Sequence, residues 1–209
     1  MLISETTQTR EYKLVPEGSH LAICYGIVDL GTQENPWQGE IKHQRQCRVL
    51  WELHGEDADG NPLTLEDGRP LSLSQRYTLS LNEKAKLRKM LVSWRGSDFT
   101  AKELRGFDMR TIIGRPCLLT VTHSHKDGKT YANVETVTAV PAALKKLGVP
   151  DMINKRIYFS FGYYDEAEFE ALSEGFKKVI MRSPEWENRQ QITKPASVDP
   201  FDDDDSIPF

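Results

Sequence analysis

The sequence predicts a mainly β protein with a five-stranded domain, a strand and helix appendage, and an acidic tail. Three observations lead to this prediction. Five runs are rich in apolar or β-branched residues, and several of them alternate polar with apolar residues as half-buried strands do. Between the third and fourth runs, the apolar residues change to helical spacing. The last twenty residues show no periodicity and are rich in aspartate, which indicates disorder.

The first three strands are predicted at 18–31, 41–54 and 71–81. The first run is rich in apolar and β-branched residues and is bounded by glycines. The third alternates most cleanly, with leucines and Tyr77 on one side and serines and Arg76 on the other. The connection between the second and third strands carries two Asp-Gly pairs and two prolines, which are typical of turns.

A helix is predicted at 82–96, with Asn82 as its N-terminal cap and its final glycine as the stop. Its apolar stripe follows positions i, i+3, i+4 and i+7: Leu87, Met90, Leu91 and Trp94. A short second helix is predicted at 99–107, because Thr100 and Glu103 have the spacing of a capping box. Trp51, Tyr77 and Trp94 are expected to lie in the core.

The last two strands of the domain are predicted at 115–125 and 129–140, joined by a tight Asp-Gly hairpin turn. Three strands, a helix and two further strands are the order of the OB-fold, a five-stranded barrel with its helix between strands three and four. We therefore predict an OB-fold single-stranded DNA-binding domain at 1–140.

A strand and helix extension packed on the barrel is predicted at 141–189, followed by a disordered linker and protein-docking tail at 190–209. The extension contains an aromatic run at 156–164 and a helical pattern at 165–186 that a Ser-Pro pair interrupts. The aromatic run has three interpretations, in order of preference: packing of the helix on the barrel, a subunit contact, or a stacking surface.

Composition argues against several classes of protein. No run of about 18 apolar residues exists, so no membrane span is predicted, and the N-terminus lacks the apolar segment of a secretory signal. Cys24, Cys47 and Cys117 are expected to be reduced, partly buried thiols of a cytoplasmic protein. His123 and His125 share a strand face without an evident third metal ligand. With no phosphate loop and no nucleophile elbow in the sequence, we predict no enzymatic activity, cofactor or metal.

The distribution of charge is uneven. The net charge of −4 becomes +1 when Asp199 and the aspartates at 202–205 are left out. A near-neutral body of this kind binds nucleic acid when its basic groups are concentrated on one surface.

A candidate surface for single-stranded nucleic acid combines cations with aromatic side chains, as such sites require. In an OB barrel the second and third strands form the usual binding surface, so Arg48 and Arg76 are expected to converge there. The predicted DNA-binding residues are Trp37, Lys42, Arg45, Arg48, Arg76, Lys126, Lys129 and Tyr131. The alternative is that these side chains only keep a strand face solvated.

The chain ends in four aspartates followed by Ser-Ile-Pro-Phe. Like charges keep such a segment extended, and an apolar pair beside proline suits docking into a partner's pocket. The predicted partner-binding residues are Asp202, Asp203, Asp204, Asp205, Ile207, Pro208 and Phe209. This end resembles the acidic C-terminal tip of bacterial single-stranded DNA-binding proteins, except that Ser206 separates the aspartates from Ile-Pro-Phe.

The resemblance implies a docking tip that recruits replication, recombination and repair proteins. It covers about the last ten residues closely, and the body resembles phage-encoded proteins of the replication region. We therefore expect a phage or prophage single-stranded DNA-binding protein, in the host cytoplasm, that forms a homo-oligomer. The alternative is an adaptor or inhibitor that does not bind DNA and uses the tip to engage host replication proteins.

Overall fold

The computed structural model describes residues 13–189, so the predicted tail lies outside the described residues. The described chain is mainly β, as predicted. Its strands are β1 Gly18–Trp37, β2 Glu40–His54, β3 Ser72–Thr78, β4 Pro116–Lys126, β5 Lys129–Thr138 and β6 Ile157–Phe159. Its α-helices are α1 Lys86–Arg95, α2 Ala142–Lys146, α3 Glu166–Glu170, α4 Glu174–Ile180 and α5 Pro184–Glu187. Within 13–189, no helix is long and apolar enough to cross a membrane.

The strands form one sheet in the order β3-β2-β1-β4-β5, all antiparallel, with β6 added in parallel to β1. The prediction of a closed barrel is not confirmed, because no hydrogen-bonded ladder joins β3 to β5 in the described residues. The two edge strands nevertheless approach each other to within 8 Å between Cα atoms. Helix α1 contacts both of them, and its buried stripe covers the core beside the gap.

The predicted helix stripe is confirmed, although α1 begins only at Lys86. The side chain of Asn82 instead accepts a hydrogen bond from the Lys84 amide, 3.1 Å away, in a turn before the helix. The capping box of Thr100 and Glu103 also forms. It stabilises a single 3-10 turn, rather than the longer second helix that was predicted.

The helical pattern at 165–186 forms three short helices instead of one helix with a single interruption. Asp165 begins α3 by accepting the Ala167 amide at 2.9 Å, as an N-cap residue does. The backbone is extended at Ser173, where α4 begins, and again at Ser183, which precedes Pro184. A residue before proline disfavours the helical conformation, but no proline accounts for the break at Ser173.

The sheet has apolar cores on both faces. One core lies between the sheet and α1 and contains Trp51, Tyr77 and Trp94, as predicted. The second lies between β1, β2 and the C-terminal extension, and it contains Phe159 and Phe161 from the aromatic run. Packing was therefore the correct interpretation for these two rings.

All three cysteines are free and fully buried, whereas partial burial was predicted. Burial raises the pKa of the Cys47 thiol to about 12. It also raises the pKa values of Cys24 and Cys117 well above their ordinary range. The thiols therefore stay protonated at neutral pH, and their contribution is to apolar packing.

Candidate nucleic-acid interface

Arg48 and Arg76 lie directly opposite each other on neighbouring strands, at one rung of the β2–β3 ladder. Arg76 is exposed, and the Arg48 Nε atom donates a hydrogen bond to Ser74 Oγ at 3.0 Å. Both arginines line a shallow cavity of about 290 Å³, which Phe176 and Val179 of α4 close on one side. The structure thus brings these two predicted residues together on the outer face of the sheet.

Two other polar residues on this side of β2 are buried, contrary to the half-buried strand that the alternation predicts. Gln46 is 5% exposed, and Glu52 is fully buried and accepts two backbone amides of the C-terminal extension. Strand periodicity correctly separated their side from the apolar side. It gave no indication that a second layer packs on the polar side as well.

Arg45 lies on the opposite side of β2 from Arg48, since the two positions differ by three residues in a regular strand. Its guanidinium forms an ion pair with the buried carboxylate of Asp29, at 2.6 Å. The hydrogen bond to Asp29 raises the pKa of Arg45. Arg45 therefore does not share the surface of Arg48, and its charge is largely balanced by Asp29.

The β1–β2 hairpin extends beyond β3 as an arm, and Lys42 is exposed on it. Lys42 lies six residues from Arg48 along β2 and so shares its side of the strand. Trp37 is the last residue of β1 and pairs with Glu40. The side chain of Trp37 lies outside what the structure describes.

Lys126 and Lys129 pair with each other at the tip of the β4–β5 hairpin. The central residues Asp127 and Gly128 both have positive φ, which confirms the predicted tight turn. Tyr131 is 46% exposed on β5, as expected of an outward aromatic. This hairpin extends past Gly18, the first residue of β1, and therefore lies at the opposite end of β1 from the arm.

Two buried carboxylates that the sequence analysis did not single out attach the extension to the sheet. Glu52 accepts the backbone amides of Ile153 at 2.8 Å and Asn154 at 2.7 Å. Asp29 accepts the amide of Phe161 at 3.4 Å. The available signal was the position of each acid inside an apolar strand run, where an unpaired charge would be costly.

Glu185 of α5 provides a third attachment. Here the carboxylate belongs to the extension and the donors belong to the sheet. The Glu185 carboxylate accepts the Thr32 amide at 2.8 Å and the Thr32 hydroxyl at 2.7 Å. Partial burial raises the pKa of Glu185, but the hydrogen bonds from Thr32 outweigh it, so the pKa lies below its ordinary value of 4.5. Because the pKa is lower in the folded state, the contact contributes its full stability at pH values above the pKa of the unfolded state. That stability is lost as the pH falls through the pKa of the folded state.

We therefore expect acidification to release α5 from β1. In nitrogen-15 NMR spectra, the amide signal of Thr32 should titrate with a midpoint below 4.5. Glu185→Gln should abolish this titration, whereas Glu187→Gln, at an exposed position of the same helix, should leave it unchanged. A titration midpoint at or above 4.5 would show that Thr32 does not lower the pKa of Glu185.

No protein-family model matches the chain, and no curated protein sequence matches it significantly. Within 13–189, no group of three His, Cys, Asp or Glu side chains is arranged to hold a metal ion. His123 instead bonds the carbonyl of Val15 at 2.8 Å. The predicted tail residues Asp202–Asp205 and Ile207–Phe209 lie outside the described residues.

Proposed function

We propose that this protein binds and protects single-stranded DNA, as a phage or prophage protein of the host cytoplasm acting in replication or recombination. The proposal includes an OB-type barrel without enzymatic activity. The strand order β3-β2-β1-β4-β5 supports the barrel, together with the helix between β3 and β4 and the close approach of β3 to β5.

The observation that carries the proposal is the Arg48–Arg76 pair on the outer face of β2 and β3. Like charges directly opposite each other on neighbouring strands destabilise a sheet. A phosphate bound at this rung would accept charge-assisted hydrogen bonds from both guanidinium groups. Lys42 lies on the same side of β2 and would extend the track for a polynucleotide backbone along the arm.

The tail supplies the second part of the proposed function. Four aspartates followed by an apolar end suit a docking segment for replication and repair proteins. Because the tail and DNA are both polyanions, we propose that the tail also competes with DNA for the basic surface. Deletion of 202–209 should then strengthen DNA binding at low salt and abolish capture of the partner.

The decisive measurement is fluorescence anisotropy of a labelled oligo-dT strand across a salt series. Arg76→Gln should weaken binding about fivefold and reduce the slope of log K against log salt by about 0.7, as expected for one lost phosphate contact. Arg182→Gln is the matched control, because Arg182 is an exposed arginine on the extension. The Arg182→Gln variant should change neither the affinity for oligo-dT nor the salt slope.

Two results would refute DNA coating as the function: no binding of oligo-dT, or equal affinity for duplex DNA. If the tail still captured replication proteins in the absence of DNA binding, the chain would be an adaptor or inhibitor. Homo-oligomer formation also stays a prediction, and the mass from light scattering tests it.

A further inference from the structure

A cavity of about 390 Å³ lies on the opposite side of the sheet from the Arg48–Arg76 pair. Ile27, Cys47 and Phe159 are buried residues that line it. Phe107 and the tyrosines 158 and 163 add three aromatic rings to its lining. The volume falls within the range of small-ligand pockets, roughly 300–1,000 Å³.

The rings of the aromatic run at 156–164 lie in two different environments. Phe159 and Phe161 are buried in the core beneath the extension. Tyr158 and Tyr163 face the cavity instead, and Tyr163 is 41% exposed. Tyr158 also packs against the core beside α1, so the third interpretation of the run, a stacking surface, is left to Tyr163.

A guanidinium group lies beside two of these rings. The Arg110 guanidinium lies 4.4 Å from the ring centroid of Tyr163 and 6.0 Å from that of Tyr158. Asp108 holds it by accepting from the Arg110 Nε atom at 2.9 Å and Nη2 atom at 2.6 Å. Arginine planes and aromatic rings are the groups on which proteins stack unpaired bases.

Polar groups complete the lining. Asp29, Asp108 and Ser160 line the cavity, and their oxygens already accept hydrogen bonds within the protein. Each of the two carboxylates is paired with an arginine, Arg45 or Arg110. The lining is therefore close to electrically balanced and does not repel a nucleotide.

The cavity is also reachable from the Arg48–Arg76 surface. The β2–β3 ladder ends at the pair of Gln46 with Thr78. One further bond joins the Leu79 amide to the Arg45 carbonyl at 2.8 Å before β2 continues into the arm. The Arg45 side chain is half exposed at this point. A polynucleotide lying on the outer face can pass the end of β3 at Arg45 and enter the cavity side.

We propose that this cavity holds one unpaired nucleobase of the bound strand, stacked on Tyr163, the ring that the Arg110 guanidinium contacts. The inference rests on the proposed function, and it names a base-binding subsite separate from the phosphate-binding arginines. It also keeps Arg45 as a DNA-binding residue, but places it at the turn between the two surfaces and not beside Arg48 and Arg76.

The test compares two oligonucleotides of equal length, oligo-dT and an abasic strand with the same phosphates. Tyr163→Leu should weaken oligo-dT binding about tenfold, as expected for the loss of one stacked base. The same variant should leave binding of the abasic strand unchanged. Tyr163→Phe keeps the ring and should restore binding of oligo-dT.

Each outcome bears on one proposal or both. If Tyr163→Leu leaves oligo-dT binding unchanged while Arg76→Gln weakens it, the base pocket is wrong and DNA binding stands. Equal losses for both oligonucleotides would also overturn the pocket, since the abasic strand has no base to stack. If the native protein binds neither strand, both proposals fail.

Discussion

Glu52→Ala is expected to lower the free energy of unfolding by about 4 kcal/mol, because it removes a buried carboxylate that accepts hydrogen bonds from two other parts of the chain. The Glu52 carboxylate is fully buried and accepts from the amides of Ile153 and Asn154, and it also bonds His54 Nε2 at 2.9 Å. Without it, two backbone amides and the His54 ring lose their partner. The segment before β6 should detach first, since these bonds attach it to β2.

Urea denaturation followed by circular dichroism measures the loss, and hydrogen exchange at the Ile153 and Asn154 amides locates it. Glu52→Gln keeps one acceptor oxygen and should cost roughly half as much. The matched control is Glu135→Gln, at an exposed position of β5, which should change stability by less than about 0.5 kcal/mol. If Glu52→Ala cost no more than this control, the carboxylate would not be the attachment described above.

Gly31→Ala is expected to cost about 3 kcal/mol and to displace α5 from β1. Gly31 has a φ of +69°, a left-handed conformation that disfavours any side chain. An added Cβ would also lie 2.5 Å from Ser183 Cβ and 2.9 Å from Glu185 Oε2. Ser183 is buried, so it cannot move aside without opening the contact between α5 and the strand.

Gly39 distinguishes the cost of backbone strain from the cost of close contact with α5. It has a similar φ of +84°, but an added Cβ would meet no atom within 4 Å. Gly39→Ala should therefore cost only the backbone strain, about 1 kcal/mol. Thermal or urea denaturation of both variants makes the comparison. Equal costs at the two positions would show that close packing against α5 contributes nothing.

Both predictions concern the attachment of the extension, which also decides how much of the outer face is accessible. Phe176 and Val179 of α4 lie against the cavity of Arg48 and Arg76. A variant that releases the extension therefore changes the proposed DNA surface as well. Binding data for Glu52→Ala and Gly31→Ala should be interpreted only after their folding has been measured.

Local patterns predicted most of the secondary structure. Period-two alternation located β3, and helical spacing selected the buried stripe of α1, because each side of an element repeats with its own backbone geometry. The Asp127–Gly128 turn followed from the readiness of both residues to adopt positive φ. These features depend on residues a few positions apart.

The candidate site was predicted only in part. Arg48 and Arg76 were expected to converge, and their ladder position agrees with that expectation. Arg45 was grouped with them, although it lies across the strand and pairs with Asp29. The aromatic run was given a stacking surface as its third interpretation, but the cavity of the proposed base pocket was not predicted, because Phe107 and Tyr163 are 56 positions apart and meet only through the fold.

The sequence by itself determined the strands, the main helix, the buried thiols and an acidic end of the chain, since each is a property of composition or short-range spacing. Only the tertiary structure decided that the extension covers the second face of β1 and β2. It also decided that Glu52, Asp29 and Gly31 serve that contact. The physical reason is that a strand with one buried face and a strand with two buried faces can carry the same residues. Only the distant segment that packs on the second face distinguishes them.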